Sequence, residues 1–173
     1  VAPSTTYVDD DWASTPNGSD PDGAGSATNF GCDAFATVQG GINGVTTGGN
    51  VIVAAGTYLQ AQVYITKSVT VTGAGPATTI LNGQNIAPPT GGLVRLEPPL
   101  GDAGAVVFSG FTVISPGTSG GRYGMFIKPL DPSAIVTVTN SRIAGGNNSD
   151  YGLYIYRNRG AVVAQLSRSD LEE

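Results

Sequence analysis

Tyr123-Gly-Met-Phe-Ile-Lys128 and Tyr151-Gly-Leu-Tyr-Ile-Tyr156 repeat one pattern at an offset of 28. In each copy, apolar residues at every second position leave their neighbours on the opposite face, as in a half-buried strand. The same offset carries Val136 onto Ala164 and Val138 onto Leu166, so two separate strands share one period. Working backward, Val106 and Phe108 align with Val136 and Val138 at an offset of 30, and Val94 and Leu96 with Met125 and Ile127 at 31. A hairpin or a sandwich requires no such arithmetic. A period of roughly 20–30 residues with two or three short strands belongs to a chain wound into stacked coils. Equivalent residues then sit ~4.8 Å apart, one rung above another.

The expected fold is thus all-β, a parallel β-helix (solenoid) over residues 50–173, preceded by a cap. Short alternating runs continue the pattern toward the N-terminus: Val51-Ile-Val53, Gln62-Val-Tyr-Ile-Thr66, Ser68-Val-Thr-Val-Thr72 and Thr79-Ile-Leu81. Gly73 and Asn82 close the last two runs. Before them, Phe35, Val38, Ile42 and Val45 are spaced 3, 4 and 3 apart, which predicts a capping helix and turn over 33–49 with Asp33 as its N-cap. Gly40 and Gly41 each cost that helix ~1 kcal/mol relative to Ala, so it must be held by its buried face. Residues 1–32 read as one strand, Thr6-Tyr7-Val8, followed by an acidic Gly/Pro loop, and the whole as one domain.

Composition narrows the function classes. Charged residues make up 12% of the chain, half the ~25% usual for a soluble domain, while 26 glycines supply turns. A net charge of -5 argues against a general nucleic-acid binder, which needs a basic face. The charge is uneven. Six aspartates and no Lys or Arg lie in residues 1–33, whereas Arg122, Lys128, Arg142, Arg157, Arg159 and Arg168 lie beyond Gly121. The absence of His excludes a Ser-His-Asp or Cys-His pair and any His-ligated zinc. Cys32 is the only cysteine, so no intrachain disulfide forms. No apolar run reaches the ~20 residues of a membrane span, and no membrane insertion is expected. A Cys-poor, Thr/Asn/Gly-rich chain that starts at Val1 fits a processed or excised bacterial protein, secreted or at the cell surface.

The stretches Phe35-Ala-Thr-Val-Gln39, Gly48-Gly-Asn-Val-Ile-Val-Ala-Ala-Gly-Thr-Tyr58 and Val63-Tyr-Ile-Thr-Lys-Ser-Val-Thr-Val-Thr-Gly-Ala-Gly75 resemble the opening of pectin-lyase-like β-helix proteins. They are especially similar to pectinesterases and bacterial β-helix repeat proteins. The resemblance is specific over residues 33–83 and generic beyond. It implies a right-handed solenoid, a helical cap over the first coil, and a superfamily that acts on or binds polysaccharide. The pectinesterase motifs resembling Gln-Ala-Val-Ala-Leu-Arg and Asp-Phe-Ile-Phe-Gly do not occur here, and no Asp cluster accompanies Arg95, Lys128 and Arg142 as in lyases of this fold. Fold alone assigns no activity, and no catalytic residue is predicted.

Alternation gives the candidate ligand site. If Val94/Leu96, Met125/Ile127 and Leu153/Ile155 point inward, then Arg95, Phe126 and Tyr154 form one outward column, with Glu97, Lys128 and Tyr156 beside it. Arg157 and Arg159 follow in the next turn. Aromatic rings and cations on a flat sheet suit a sugar polymer, rings stacking on pyranose faces. They equally suit cross-strand pairing, Glu97–Lys128 as an ion pair and Arg95 over Phe126 as a cation–π contact. Arg142 sits in a lyase-like position but holds its proton too tightly for a base, and the period sets it one coil below Asp170 as an ion pair.

No cofactor is required, although calcium is a candidate at Asp20 and Asp22, in Asp20-Pro-Asp-Gly23 with Asp9, Asp10 and Asp11 upstream. The distal Glu of a full calcium loop is missing. The segment Val163–Glu173 reads as a further coil without a polar cap, which points to continuation of the chain or to homo-assembly through that coil. Three functions follow: a non-catalytic extracellular module for display, adhesion or polysaccharide contact; a fragment or small member of the polysaccharide lyases and hydrolases; and a self-assembling filament subunit.

Overall fold

The computed structural model describes residues 1–84, 91–115, 123–144, 151–156 and 159–166. The chain opens with β1 (Thr5–Val8), a 3-10 helix (Asp10–Ser14), β2 (Ala34–Phe35) and α1 (Val38–Gly44). Four strands then make one turn and part of the next: β3 (Asn50–Val53), β4 (Gly56–Leu59), β5 (Val63–Ile65) and β6 (Val69–Gly73). They are followed by β7 (Thr79–Asn82), β8 (Val94–Leu96), β9 (Ala105–Ser109), β10 (Thr112–Ile114) and β11 (Tyr123–Ile127). Last come β12 (Ile135–Ala144), β13 (Tyr151–Ile155) and β14 (Ala161–Leu166).

Every described strand pair is parallel, and neighbours in space are one coil apart in sequence. The first sheet runs β2-β1-β3-β6-β9-β12-β14, the second β4-β7-β10-β12, and the third β5-β8-β11-β13. This is an all-β, solenoid-like stack with one N-terminal helix. From β3 onward, consecutive strands fall in different sheets. Strand β12 serves two sheets: Ile135–Thr139 pairs with β9 and Arg142–Ala144 with β10. The bend between its halves falls at Asn140, which adopts φ 44°. One coil below, Gly110 (φ 84°) occupies the same corner and its N–H donates to the Asn140 carbonyl. Gly and Asn are the residues that tolerate this left-handed backbone best, so the corner is written in their side chains.

Alternation fills the interior with vertical stacks. Val51, Val71, Phe108, Val138 and Ala164 form one, and Ile65, Leu96, Ile127 and Ile155 another. The first four of the former and the first three of the latter are buried. Phe108 and Phe111 stack across the interior at 4.4 Å between centroids. The offsets predicted for β9–β12 (Val106 to Val136) and β8–β11 (Val94 to Met125) are the observed ones, as is that of β11–β13 (Tyr123 to Tyr151). The pairing of β14 is different: Val136 faces Val162 and Val138 faces Ala164, an offset of 26, while Leu166 faces Ser141. The turn between β13 and β14 is two residues shorter than that between β11 and β12. A two-residue slip preserves which residues face inward, so the alternation survives it.

The helix begins later than its apolar spacing suggests. Thr37, whose hydroxyl accepts from the Gly40 N–H at 3.1 Å, is the N-cap in place of Asp33. Ala34 and Phe35 instead extend the first sheet beside β1, where backbone pairing at the open edge satisfies N–H and C=O groups. Asp33 accepts from the N–H groups of Thr28 and Asn29 and from the Thr28 hydroxyl, closing the preceding loop. Val38, Ile42 and Val45 are buried as expected, and Phe35 packs against the core from its strand.

Candidate functional site

The outward face of the third sheet gathers most of the predicted site residues. Phe126 lies directly between Arg95 and Tyr154 in register, so the expected column exists. It extends one coil further down, because Tyr64 pairs with Arg95. Arg95 lies over two rings at once, its guanidinium carbon 5.1 Å from the Tyr64 centroid and 5.3 Å from that of Phe126. Beside the column, Tyr123 stacks on Tyr154 (4.5 Å, 15° between planes) and on Tyr151 (5.9 Å, 28°). Phe126 stacks on Tyr154 at 5.8 Å, and Tyr156 on both at 6.4 and 6.1 Å.

These rings lie face to face along the axis of the stack. Rungs ~4.8 Å apart bring rings of successive coils within stacking reach of one another.

Glu97 ties the cations to the strip. Its Oε2 accepts from Arg95 Nε at 2.7 Å and from the Tyr64 hydroxyl at 3.0 Å, and lies 2.5 Å from the second Arg95 nitrogen. Its Oε1 lies 3.0 Å from Lys128 Nζ. Glu97 is only 6% exposed, covered by the Arg95, Tyr64 and Lys128 side chains that it binds. Burial pushes its carboxyl pKa up, but hydrogen bonds from Lys128, Tyr64 and Arg95 outweigh burial and hold it below the ordinary value. Tyr64 is shifted the other way, its phenol raised by burial and by the Glu97 carboxylate. The ion pair and the cation–π contact anticipated from sequence are both present. Their carboxylate is shared, which pairwise reading did not show.

Past the end of the strip, a cavity of about 390 Å³ is lined by Leu100, Lys128, Leu130, Tyr156 and Arg159. Apolar side chains, one phenol and two cations converge there, a lining suited to an amphipathic ligand. Arg159 is exposed, and its N–H donates to the Pro129 carbonyl at 3.3 Å. Arg157 and Asp170 lie outside the described residues. Arg142 faces Thr112 in the second sheet, away from the strip.

The acidic N-terminal segment splits in two. Asp20 accepts from the N–H groups of Asp22 and Gly23, and Asp22 from that of Ala24, so these carboxylates form successive Asx turns. Among the described residues, the carboxylates that converge are those of Asp9, Asp10 and Asp11, each offering an oxygen within 4.8 Å of the others. That group could chelate a divalent ion such as calcium. Asp9 also accepts from the Asp11 N–H and Asp10 from the Thr57 N–H, which fixes two of the three side chains.

Among the described residues, no helix is long and apolar enough to cross a membrane. No protein-family model matches the chain, and no curated protein or solved structure shows significant similarity to it.

Proposed function

We propose that this chain is a non-catalytic extracellular module, a right-handed parallel β-helix of the pectin-lyase-like kind, that contacts polysaccharide along its third sheet. The observation that carries this reading is the continuous strip of Tyr64, Tyr123, Phe126, Tyr151, Tyr154 and Tyr156 leading to the cavity between Lys128 and Arg159. A strip of pre-stacked rings loses little conformational entropy on binding, since its side chains are already fixed by their neighbours. Ring edges and aliphatic side chains offer apolar area to the C–H groups of a sugar ring, while phenols and cations hydrogen-bond its hydroxyls. The carboxylate among the cations, Glu97, has both oxygens engaged, which supports contact over acid–base chemistry.

Isothermal titration against a panel of neutral and acidic polysaccharides tests this. Binding to at least one is expected, with Tyr154→Ala and Arg159→Ala each weakening it about tenfold, as removal of one ring or one charged hydrogen bond worth ~1.5 kcal/mol requires. Absence of binding across the panel, or undiminished binding by both variants, overturns the reading.

A further inference from the structure

The outer face of the first sheet is the other extended surface, and its composition is unlike the rest of the chain. Thr5, Tyr7, Asn50, Ile52, Thr70 and Thr72 face outward from β1, β3 and β6. Val107, Ser109, Thr137, Thr139, Val163 and Gln165 continue the two ranks over β9, β12 and β14, and Ile135 stands between Ala105 and Ala161 in a third. None of these positions on six successive strands is charged, although the chain carries 21 ionisable Lys, Arg, Asp and Glu residues. Three aliphatic residues stand well clear of the surface, Ile52 and Ile135 each 46% exposed and Val163 44%. Hydroxyls on the face also satisfy each other: Thr139 Oγ1 donates to Ser109 Oγ at 3.3 Å.

From this we infer that the first sheet's outer face is a self-association surface, on which a second copy of the chain packs face to face. Two features suit a second copy as the occupant. Two sheets meeting this way pack ~10 Å apart with side chains interleaved, under a two-fold axis that needs no second kind of surface. The absence of charge lets two molecules of net charge -5 meet without desolvating an unpaired ion. Six strands by about five residues give a face of roughly 30 by 16 Å, or ~900 Å² summed over both copies. That is below the ~1,200–2,000 Å² of stable complexes, so the dimer is weak and reversible.

Sedimentation equilibrium on the intact chain from about 1 µM to about 1 mM tests the inference. The weight-average mass is expected to rise from that of one chain toward that of two, with dissociation constants in the range of ~10 µM to 1 mM. A double variant, Thr72→Arg with Ile135→Lys, places four like charges in the interface and is expected to weaken association at least tenfold with unchanged circular dichroism and Tm. Tyr154→Ala, on the third sheet, is expected to leave association unchanged. A single-chain mass throughout overturns the inference. So does association that survives the double variant, or that is lost with Tyr154→Ala, since either places the contact elsewhere. If the double variant fails to fold, Val163→Lys alone serves, at the far end of the same face.

Discussion

Replacing Glu97 by Gln keeps the shape of the side chain and removes the charge on which Tyr64, Arg95 and Lys128 converge. A hydrogen bond to a charged group contributes ~1.5–3 kcal/mol, and breaking a fully buried ion pair costs ~3–5 kcal/mol. Here the Arg95 and Lys128 side chains are 21% and 27% exposed, so water can re-solvate both cations once the carboxylate is gone. A loss of about 2 kcal/mol at pH 7 is expected, which lowers Tm by roughly 4–8 °C in a chain of this size. The sign of the pH dependence is fixed by the carboxyl being held below its ordinary value of 4.5. Its contribution is complete above that value and is lost as pH falls through the lower, folded value. The stability gap between the parent and Glu97→Gln should therefore be constant from pH 7 to 5, narrow below about 4.5, and close in stronger acid. Asp33 and Asp102 are also held low, but both proteins carry them and they cancel in the difference. Urea denaturation at a series of pH values measures the gap directly. A gap under about 0.5 kcal/mol at pH 7, or one that stays the same down to pH 3, would refute ionised Glu97 as the tie between the rungs.

Two further outcomes follow from other parts of the fold. Asn140→Ala places an ordinary side chain at φ 44° and should cost ~1 kcal/mol in urea denaturation, whereas Asn140→Gly should be close to neutral; equal losses for both would mean that the Asn side chain, not its backbone angle, shapes the corner. Calcium at 10 mM, on a site of ~1 mM affinity formed by Asp9, Asp10 and Asp11, should add ~1.4 kcal/mol and raise Tm by ~3–5 °C, and Asp10→Asn should abolish that increment whatever it does to the baseline.

The period was readable because burial on one face imposes parity, and parity survives changes in turn length. Val94, Met125 and Leu153 could be aligned without knowing any turn, and the structure pairs them so. Where the turn shortened by two residues, before β14, parity still held but the offset did not. Tyr64 was within reach of the same arithmetic, since the step that leads from Phe126 down to Arg95, taken once more, lands on it. The ring arrangement was not within reach. Alternation says that Phe126 and Tyr154 share a face, but stacking depends on rotamers chosen against neighbours one coil away, including Tyr123 and Tyr151, each three residues before a ring of the expected column. The burial of Glu97 was hidden for a related reason: it comes from the Tyr64, Arg95 and Lys128 side chains that close over its carboxylate.

The helix start, misplaced by its apolar spacing, makes sense once the first coil's open edges are considered. Three sheets begin at that coil, and each would otherwise present unpaired N–H and C=O groups. The first sheet is closed by backbone, with β1 and β2 laid beside β3. The second is closed by a carboxylate, Asp10 accepting from the Thr57 N–H on β4 at 3.1 Å. The third is closed by an amide: Gln39 Oε1 accepts from the Tyr64 N–H at 2.6 Å and its Nε2 donates to the Tyr64 carbonyl at 3.2 Å, reproducing both bonds of a strand neighbour. Gln39 can reach β5 only if α1 sits directly on the first coil. Gly41 permits that approach, because a Cβ there would fall 2.6 Å from Val8 and 3.0 Å from Val51. The glycines that weaken the helix as a helix are thus what let it serve as a lid. A sequence read for propensity alone sees only their cost, since the compensating contacts, Val8 and Val51, lie on strands outside the helix.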